Sequence, residues 1–234
     1  KMKTFQSIKY WIFDLDNTLY SGKTRVFEQV EKRMSKYVSD KLNISIDKAK
    51  KIQKNYFHQY NTTLNGMIKN HKIDANEFLD FVHDIDIDFL KKDLKLNEEL
   101  KKLDGKKIIF TNGPKKHALN VTQKIGIDQH FDDIFDIIDS NFVPKPEMEP
   151  YKKLVEKHKI DPKNVETHFA LLKRTAKKDR VEIFRVTSGP KKTENALKLL
   201  YQAIYNITKR FSIKNRLNCH KPYPCKLLNT EHCP

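Results

Sequence analysis

Three polar residues, Asp14, Thr111 and Lys145, each follow a short run that is typical of a β-strand. Their side chains suit the transfer of a phosphoryl group. The Asp14 carboxylate can attack phosphorus and form an acyl phosphate, which divides one difficult displacement into two easier ones. Lys145 supplies a positive charge for the nucleophile and for the phosphoryl group in transit. We therefore expect these residues to converge on one catalytic site.

Further groups near these positions extend the candidate site. Asp16, two residues beyond Asp14, can protonate a leaving alkoxide and afterwards take a proton from the attacking water. Thr111 offers a hydroxyl group, and the backbone N–H groups near it lie at a predicted helix start, which is a favourable place for binding phosphate oxygens. The sequence therefore predicts four catalytic residues and two substrate-binding residues: Asp14, Asp16, Thr111 and Lys145, with Asn112 and Gly113.

The elements that must position these residues alternate between strand and helix patterns. Strands are predicted at residues 9–13, 107–110 and 132–138, and helices at residues 115–125 and 149–158. Such alternation implies parallel strands and a sheet covered by helices on both faces. Active sites of these sheets lie at the carboxyl ends of the strands. We predict an α/β fold with a Rossmann-like parallel sheet.

Between the first two predicted strands the chain has the pattern of an all-helical block. Apolar residues recur at helical spacing over residues 24–42, 46–60, 63–71 and 75–85. A chain of this length can hold one core and a small accessory unit. We expect an α/β core made of residues 1–20 and 98–214. A helical cap, residues 21–97, is inserted in this core, and residues 215–234 form an irregular basic tail.

The charge distribution argues against nucleic acid as a partner. The net charge of +16 taken alone would suggest binding to the phosphates of a polyanion. However, residues 167–234 contain 15 Lys and Arg against 4 Asp and Glu, so most of the excess lies in the last third of the chain. Elsewhere the lysines lie mainly in helix-like stretches, where a solvated face is the simpler interpretation. We expect a small phosphorylated metabolite as the partner.

The sequence also favours a cytoplasmic enzyme with no membrane partner. No stretch approaches the roughly 20 apolar residues of a membrane span, and residues 1–10 lack the apolar segment of a secretory signal. The three cysteines, Cys219, Cys225 and Cys233, are spaced more widely than the ligands of a typical zinc site, and an odd number cannot pair fully as disulfides. The sequence leaves the oligomeric state open.

Three motifs resemble those of the haloacid dehalogenase-like superfamily, and they occur in that family's order. The first motif resembles residues 13–20, FDLDNTLY. The second resembles residues 111–113, TNG, and the third resembles residues 145–150, KPEMEP. The residues around the first two motifs, including GPKKHA at 113–118, are similar to the pyrimidine 5′-nucleotidase branch. The resemblance covers roughly residues 10–165.

This resemblance implies a role for each candidate residue. Asp14 would be the nucleophile and a magnesium ligand, and Asp16 the acid and base, which also binds Mg²⁺ through its backbone carbonyl. Thr111 would bind phosphate, and Lys145 would stabilise negative charge. The implied activity is Mg²⁺-dependent hydrolysis of a small phosphate monoester, with a nucleoside 5′-monophosphate as the favoured substrate. A phosphoglycolate or sugar-phosphate phosphatase and a dehalogenase are alternatives that share the core.

The chain departs from the family pattern at the fourth motif, where a strand should end in acids that hold Mg²⁺. At the expected place, the apolar run 168–172 is followed by Lys173 and Arg174, and the nearest acids, Asp179 and Glu182, lie well beyond it. The departure coincides with the rise in positive charge. We hypothesise that the reading frame or the gene is altered near residue 167, with a divergent but functional C-terminus as the alternative. A chain without these acids would also suit a binding protein that keeps the fold and lacks catalysis.

Overall fold

The computed structural model describes residues 9–160 and the backbone of two strands at residues 168–175 and 180–187. The strands of the described residues are β1 (Tyr10–Phe13), β2 (Lys106–Phe110), β3 (Asp133–Phe135), β4 (His168–Thr175) and β5 (Arg180–Thr187). They form one sheet in the order β3-β2-β1-β4-β5. The first four strands pair in parallel, and β5 runs antiparallel to β4. The predicted α/β fold with a Rossmann-like parallel sheet is confirmed.

The helices of the described residues agree with the predicted pattern. They are α1 (Val26–Leu42), α2 (Ile46–Tyr60), α3 (Thr63–His71), α4 (Ala75–His83), α5 (Leu94–Lys101), α6 (Lys115–Ile125) and α7 (Met148–Lys157). All except α5 were predicted from the sequence, with ends that differ by no more than two residues. None of the helices in the described part of the chain has both the length and the apolar character to cross a membrane.

Strand β1 lies in the middle of the sheet, and this position accounts for its composition. Trp11 and Phe13 are completely buried, and Ile12 is almost so. A parallel strand with neighbours at both edges and cover on both faces is apolar along its whole length. The indole N–H of Trp11 donates to the carbonyl oxygen of Asp104 at 2.6 Å, so its polar atom is satisfied inside the core.

The register of the sheet places the carboxyl ends of its central strands side by side. Phe13, the last residue of β1, pairs with Ile109 in β2 and with Leu172 in β4. Asp14 and Thr111 therefore each follow the end of one of two neighbouring parallel strands. This is the edge at which ligands bind in open parallel sheets.

Strand β3 is shorter than the predicted range of residues 132–138. It ends at Phe135 because the next residue, Asp136, folds the chain into a turn. The buried Asp136 carboxylate accepts the backbone N–H groups of Ile138 and Asp139, both at 2.9 Å. Its other oxygen accepts the N–H of Lys115 at 2.7 Å, which ties the turn to the start of α6.

Strand β4 contains the apolar run 168–172, which stands at the place of the fourth motif, and continues through Lys173 and Arg174 to Thr175. The extension pairs with β5, in which Glu182 lies opposite Lys173. Because Leu172 pairs with Phe13, the backbone of Lys173 stands level with Asp14 in the sheet. Asp179, the three cysteines and the predicted tail at residues 215–234 lie outside the described residues.

Helices α1 to α4 form a helical block around a hydrophobic cluster of their own. The guanidinium of Arg33 in α1 donates to the carbonyl oxygen of Phe81 at 2.6 Å and pairs with Asp84 at 3.0 Å, joining the first helix of the block to the last. The buried members of the cluster are Val30, Tyr37, Val38, Ala49, Leu64, Met67, Ile73, Phe78, Leu79 and Val82, together with Ile137 from outside the block.

Short polar side chains and left-handed residues set the ends of these helices. The side chains of Thr62 and Asp74 accept backbone N–H groups at the starts of α3 and α4, at 3.1 and 2.7 Å. Helices α1, α2 and α3 end at residues with positive φ, namely Asn43, Asn61 and Lys72. The block is therefore specified by local signals as well as by its apolar faces.

Helices α2 and α3 pack closely together at Gly66. A Cβ atom on Gly66 would lie 2.4 Å from the Cβ of Tyr56. We expect Gly66→Ala to lower the free energy of unfolding by about 1–3 kcal/mol, because the added methyl group forces the helices apart and outweighs the better helix propensity of alanine. Urea unfolding followed by circular dichroism measures this change.

Gly22→Ala is the control for that measurement. A Cβ atom there would meet only the side chain of Asn17, at 3.2 Å. This substitution should change the free energy of unfolding by less than about 1 kcal/mol. Equal stability of the parent and the Gly66→Ala variant would contradict the packing of α3 on α2.

Candidate active site

The Asp14 carboxylate is held at the end of β1 by one donor on each oxygen. Its Oδ1 accepts a hydrogen bond from the Lys145 ammonium at 3.0 Å, and its Oδ2 accepts a hydrogen bond from the Thr18 hydroxyl group at 3.0 Å. The Asp14 side chain remains 28% exposed. It is therefore both oriented and accessible, as a nucleophile must be.

The turn after β1 buries Leu15 and Leu19 and leaves the carboxylates of Asp14 and Asp16 partly exposed. The carbonyl oxygen of Leu15 accepts the N–H groups of Thr18 and Leu19, at 3.1 and 2.9 Å, so the chain curls back towards Asp14. Leu15 and Leu19 are buried in the core, and Asn17 adopts a left-handed conformation with φ of 56°. Burial of the leucines fixes the backbone that carries Asp16 between them and Asp14 directly before them. Sequence reasoning missed Thr18 as the residue that orients the nucleophile.

The Lys145 side chain contacts the Asp14 carboxylate and is only 11% exposed. Its ammonium also donates to the carbonyl oxygen of Phe110, and it lies 4.8 Å from the centre of that residue's ring. The side-chain amide of Asn112 fixes the backbone of Lys145, accepting its N–H at 2.8 Å and donating to its carbonyl oxygen at 3.2 Å. The second and third motifs are thereby joined.

The loop after β2 gives Thr111 and Gly113 a compact arrangement. Thr111 is buried, and its hydroxyl oxygen accepts the N–H of Gly113 at 3.0 Å. The Asn112 side chain is occupied by Lys145, so any phosphate contact from this residue would come from its backbone. The substrate-binding roles of Asn112 and Gly113 stay predictions.

The Asp16 side chain has a different environment from Asp14. Its Oδ1 atom accepts hydrogen bonds from the Tyr20 hydroxyl group at 2.7 Å and from the Nε2–H group of His117 at 3.0 Å. Burial raises the pKa of Asp16, but the charge of His117 and the hydrogen bonds from His117 and Tyr20 outweigh burial, so the pKa lies below its ordinary value. Burial and the Asp16 charge raise the pKa of Tyr20 well above its ordinary value, so Tyr20 stays a donor.

His83 from the end of α4 lies against His117. The two ring centres are 4.8 Å apart, with the planes tilted by 46°. The Nδ1 atom of His83 lies 2.8 Å from the carbonyl oxygen of Leu79, which can only accept, so Nδ1 carries the proton. Burial, with the charge of His117, lowers the pKa of His83 to about 4. The ring is therefore neutral at pH 7.

Hydrogen bonds join Asp14 to Lys145 and Lys145 to Asn112, Thr111 to Gly113, and Asp16 to two residues that were not predicted, Tyr20 and His117. Thr18 and His83 are the further additions, through Asp14 and His117 respectively. His117 lies within the segment GPKKHA that carries the family resemblance, so its position one turn into α6 was a signal in the sequence. His83 had no comparable signal. Its helix was predicted only as part of the helical block, and the pattern of that block does not show what its end contacts.

The fit of this site to a divalent cation is partial. The Asp14 carboxylate and the Asp16 backbone carbonyl offer oxygen atoms of the type that Mg²⁺ prefers. Among the described residues, no group of three or more His, Cys, Asp and Glu side chains could hold a metal ion. Level with Asp14 in the sheet, β4 carries Lys173, where the family pattern has an acid. The described part of the chain therefore supplies an incomplete ligand set.

Comparisons with known proteins agree with this fold. The family model of the haloacid dehalogenase-like hydrolases matches residues 8–165, a region that ends just before the rise in positive charge. Phosphate metabolism protein 8 of Saccharomyces cerevisiae is 34% identical over 155 residues, which are 59% of this chain and 48% of the relative. This chain thus spans about half the length of the curated relative it matches.

Two of the solved structures that match this chain have distant sequences. The HAD-hydrolase YfnB of Bacillus subtilis, solved with magnesium, is 18% identical, with a TM-score of 0.40 over 64% of this chain and 74% of that one. The HAD phosphatase of Thermococcus onnurineus is 22% identical, with a TM-score of 0.41 over 67% of this chain and 74% of that one. The family model covers more than half of the sequence, and the chain belongs to the haloacid dehalogenase-like hydrolase family.

Proposed function

We propose that this chain hydrolyses a small phosphate monoester through an aspartyl-phosphate formed on Asp14. The observation that carries the proposal is the Asp14 carboxylate itself. It is partly exposed at the carboxyl end of the central strand, and Lys145 and Thr18 each hold one of its oxygens at 3.0 Å. A nucleophile for in-line attack on phosphorus needs this combination of access and fixed orientation.

In the first step, a carboxylate oxygen of Asp14 forms a bond to phosphorus while the bond from phosphorus to the leaving oxygen breaks. Two negatively charged groups must approach each other for this to happen. The buried ammonium of Lys145, already 3.0 Å from Asp14, lowers that repulsion as a preorganised charge. Its fixed position costs no reorganisation at the moment of reaction, because Asn112 and the Phe110 carbonyl hold it in place.

Asp16 handles the protons of both steps. Its two donors bind Oδ1, which leaves Oδ2 to exchange a proton with the leaving oxygen and with water. The lowered pKa keeps Asp16 ionised in the free site, which is the state needed to take a proton from the water that attacks the aspartyl-phosphate. The negative charge of an incoming phosphate raises the pKa of Asp16, so that Asp16 takes up a proton from water as the substrate binds and passes it to the leaving oxygen in the first step.

The start of α6 supports binding of the phosphate. The loop 111–113 precedes this helix, and the helix N-terminus offers unpaired N–H groups and a partial positive charge to an anion. We assign the Thr111 hydroxyl and the backbone N–H groups of Asn112 and Gly113 to the phosphate oxygens. Gly113 would exchange its present bond with Thr111 for one with the substrate.

Mg²⁺ is the cofactor that we infer, held by the Asp14 carboxylate and the Asp16 backbone carbonyl. When bound, a divalent cation offsets the negative charge of the transferring phosphoryl group. The lysine level with Asp14 in β4 works against this binding, because it replaces an expected anion with a cation. We infer that the chain binds Mg²⁺ weakly and turns over slowly.

We propose that the helical block, within residues 21–97, is a cap that selects the substrate, and that residues 1–20 and 98–214 are the core. Two contacts join the block to the site. His83 packs on His117, and the Asn61 amide donates to the Glu147 carboxylate at 2.7 Å. A pyrimidine nucleoside 5′-monophosphate is our first choice of substrate, on the motif resemblance. Phosphoglycolate and sugar phosphates are the alternatives, and the name of the yeast relative fits a phosphorylated substrate.

A second candidate function is a binding protein that keeps the fold but has lost catalysis. The lack of acids directly after the run 168–172 favours it, since the family pattern uses acids there to hold the metal that turnover needs. In this case the chain would retain phosphorylated ligands and release no inorganic phosphate.

Replacing the nucleophile should separate these functions. We expect Asp14→Asn to abolish release of phosphate from the best member of a panel of nucleoside 5′-monophosphates, sugar phosphates and phosphoglycolate, because an amide has the carboxylate's shape but cannot attack phosphorus. Beryllium fluoride, which mimics the phosphoryl group, should bind the parent and not the variant. Phosphate release is measured with the enzyme in excess, so that slow turnover suffices.

Asp47→Asn, an exposed residue in the first turn of α2, is the matched control and should leave release unchanged. A loss of less than about tenfold in Asp14→Asn would remove Asp14 from its role. Undetectable release from the parent on every substrate, with ligand binding retained, would favour the binding protein instead.

Restoring acids in β4 should strengthen metal binding. We expect Lys173→Asp with Arg174→Asp to lower the dissociation constant for Mg²⁺ by about tenfold or more, because a carboxylate then stands level with Asp14. Isothermal titration with Mg²⁺ measures this directly. The control, Lys50→Asp with Lys51→Asp on the exposed face of α2, changes the net charge equally and should have little effect. Ordinary Mg²⁺-dependent turnover in the parent would refute the idea of a damaged C-terminus and make Asp179 or Glu182 the next ligand to test.

A further inference from the structure

His83 is a residue of the helical block that reaches the acid–base part of the site. Its ring lies 4.8 Å from the His117 ring, and His117 in turn lies 3.0 Å from the Asp16 carboxylate. A Cβ atom added to Gly113 would lie 3.4 Å from Nε2 of His83, so the same ring also covers the loop after β2. One histidine of α4 therefore contacts two of the elements that form the site.

The contacts of His83 suit packing against His117 better than proton transfer. Its Nδ1–H is committed to the carbonyl oxygen of Leu79 in its own helix, which fixes the plane of the ring. The His83 ring is neutral at pH 7, so it packs against His117 without bringing a positive charge of its own. A fixed, uncharged ring beside His117 restricts the rotation of that residue away from Asp16.

We propose that His83 is a positioning residue, which holds His117 against Asp16 so that the helical block completes the acid–base part of the site. The proposal rests on the proposed function, since it assigns Asp16 the transfer of protons. Without His83, His117 can rotate into the space the ring leaves, and the Asp16 Oδ1 atom keeps only the hydrogen bond from Tyr20. The Oδ2 atom then loses its fixed direction towards the leaving oxygen.

A defect in Asp16 orientation has a signature that general loss of structure does not have. An alkyl monoester, such as a nucleoside 5′-monophosphate, needs a proton on its leaving oxygen. The nitrophenolate of p-nitrophenyl phosphate leaves without one. Loss of general acid catalysis therefore slows the first substrate far more than the second.

The test compares His83→Ala with His83→Phe on these two substrates, with the enzyme in excess. We expect His83→Ala to lower the rate constant on the nucleoside monophosphate by about tenfold or more, with KM little changed, and on p-nitrophenyl phosphate by less than about threefold. His83→Phe keeps a ring against His117 and should restore most of the loss. His58→Ala, an exposed histidine of α2, is the control and should change neither rate.

A double-mutant cycle shows whether His83 acts through Asp16. In the Asp16→Asn background, His83→Ala should have no further effect on the rate constant, because the group it positions is already disabled. Additive losses would overturn the proposal, as would equal losses on both substrates. If Asp14→Asn also keeps its activity, the proposed function fails as a whole; if it does not, only the role of His83 fails.

A spectroscopic measurement tests the same contact without turnover. The hydrogen-bonded Nε2 proton of His117 should give an exchange-protected NMR signal in the parent and in His83→Phe. This signal should broaden or vanish in His83→Ala, while urea unfolding shows the variant to be folded. An unchanged signal in a folded His83→Ala variant would contradict the proposal.

Discussion

The ion pair between Lys145 and Asp14 is the interaction on which the rest of the site depends. The two groups meet at 3.0 Å at the end of the buried central strand, where a carboxylate without a counter-charge would be costly. Lys145 is itself fixed by Asn112 and by the Phe110 carbonyl. The pair therefore ties together the ends of β1 and β2 and the third motif, and the parallel register brings these within reach of each other.

Two carboxylates separated by one residue have distinct environments, which is the condition for distinct roles. Asp14 is partly exposed and faces a cation and a hydroxyl group, as suits a nucleophile. Asp16 is bonded through one oxygen to Tyr20 and His117, as suits a group that exchanges protons through the other. Differences of environment of this kind divide acid–base and nucleophilic roles between similar side chains in other enzymes. The lysine at residue 173 is the feature that fits this scheme least well.

The sequence predicted the fold class and most helices because these depend on local patterns, and the six candidate residues were named from local motifs in the same way. Apolar runs that end in polar residues mark β1 and β2, and helical spacing marks the block. The predicted end of β3 was wrong, because the apolar pattern of the sequence does not reveal that the Asp136 side chain folds the chain into a turn. The pairing of His117 with Asp16 joins residues 101 positions apart, and such contacts follow from topology rather than periodicity. The contact of His83 depends in addition on how the helical block lies against the core.

Chemical trapping of the intermediate tests the central claim most directly. The enzyme is mixed in excess with the best substrate, quenched with borohydride and digested, and the peptide containing Asp14 is weighed by mass spectrometry. Borohydride reduces an acyl phosphate to an alcohol, so the account predicts homoserine at position 14 in the parent mixed with substrate and none in the parent incubated without it. Release of phosphate while Asp14 stays unmodified, or reduction at a different carboxylate, would contradict an aspartyl-phosphate on Asp14.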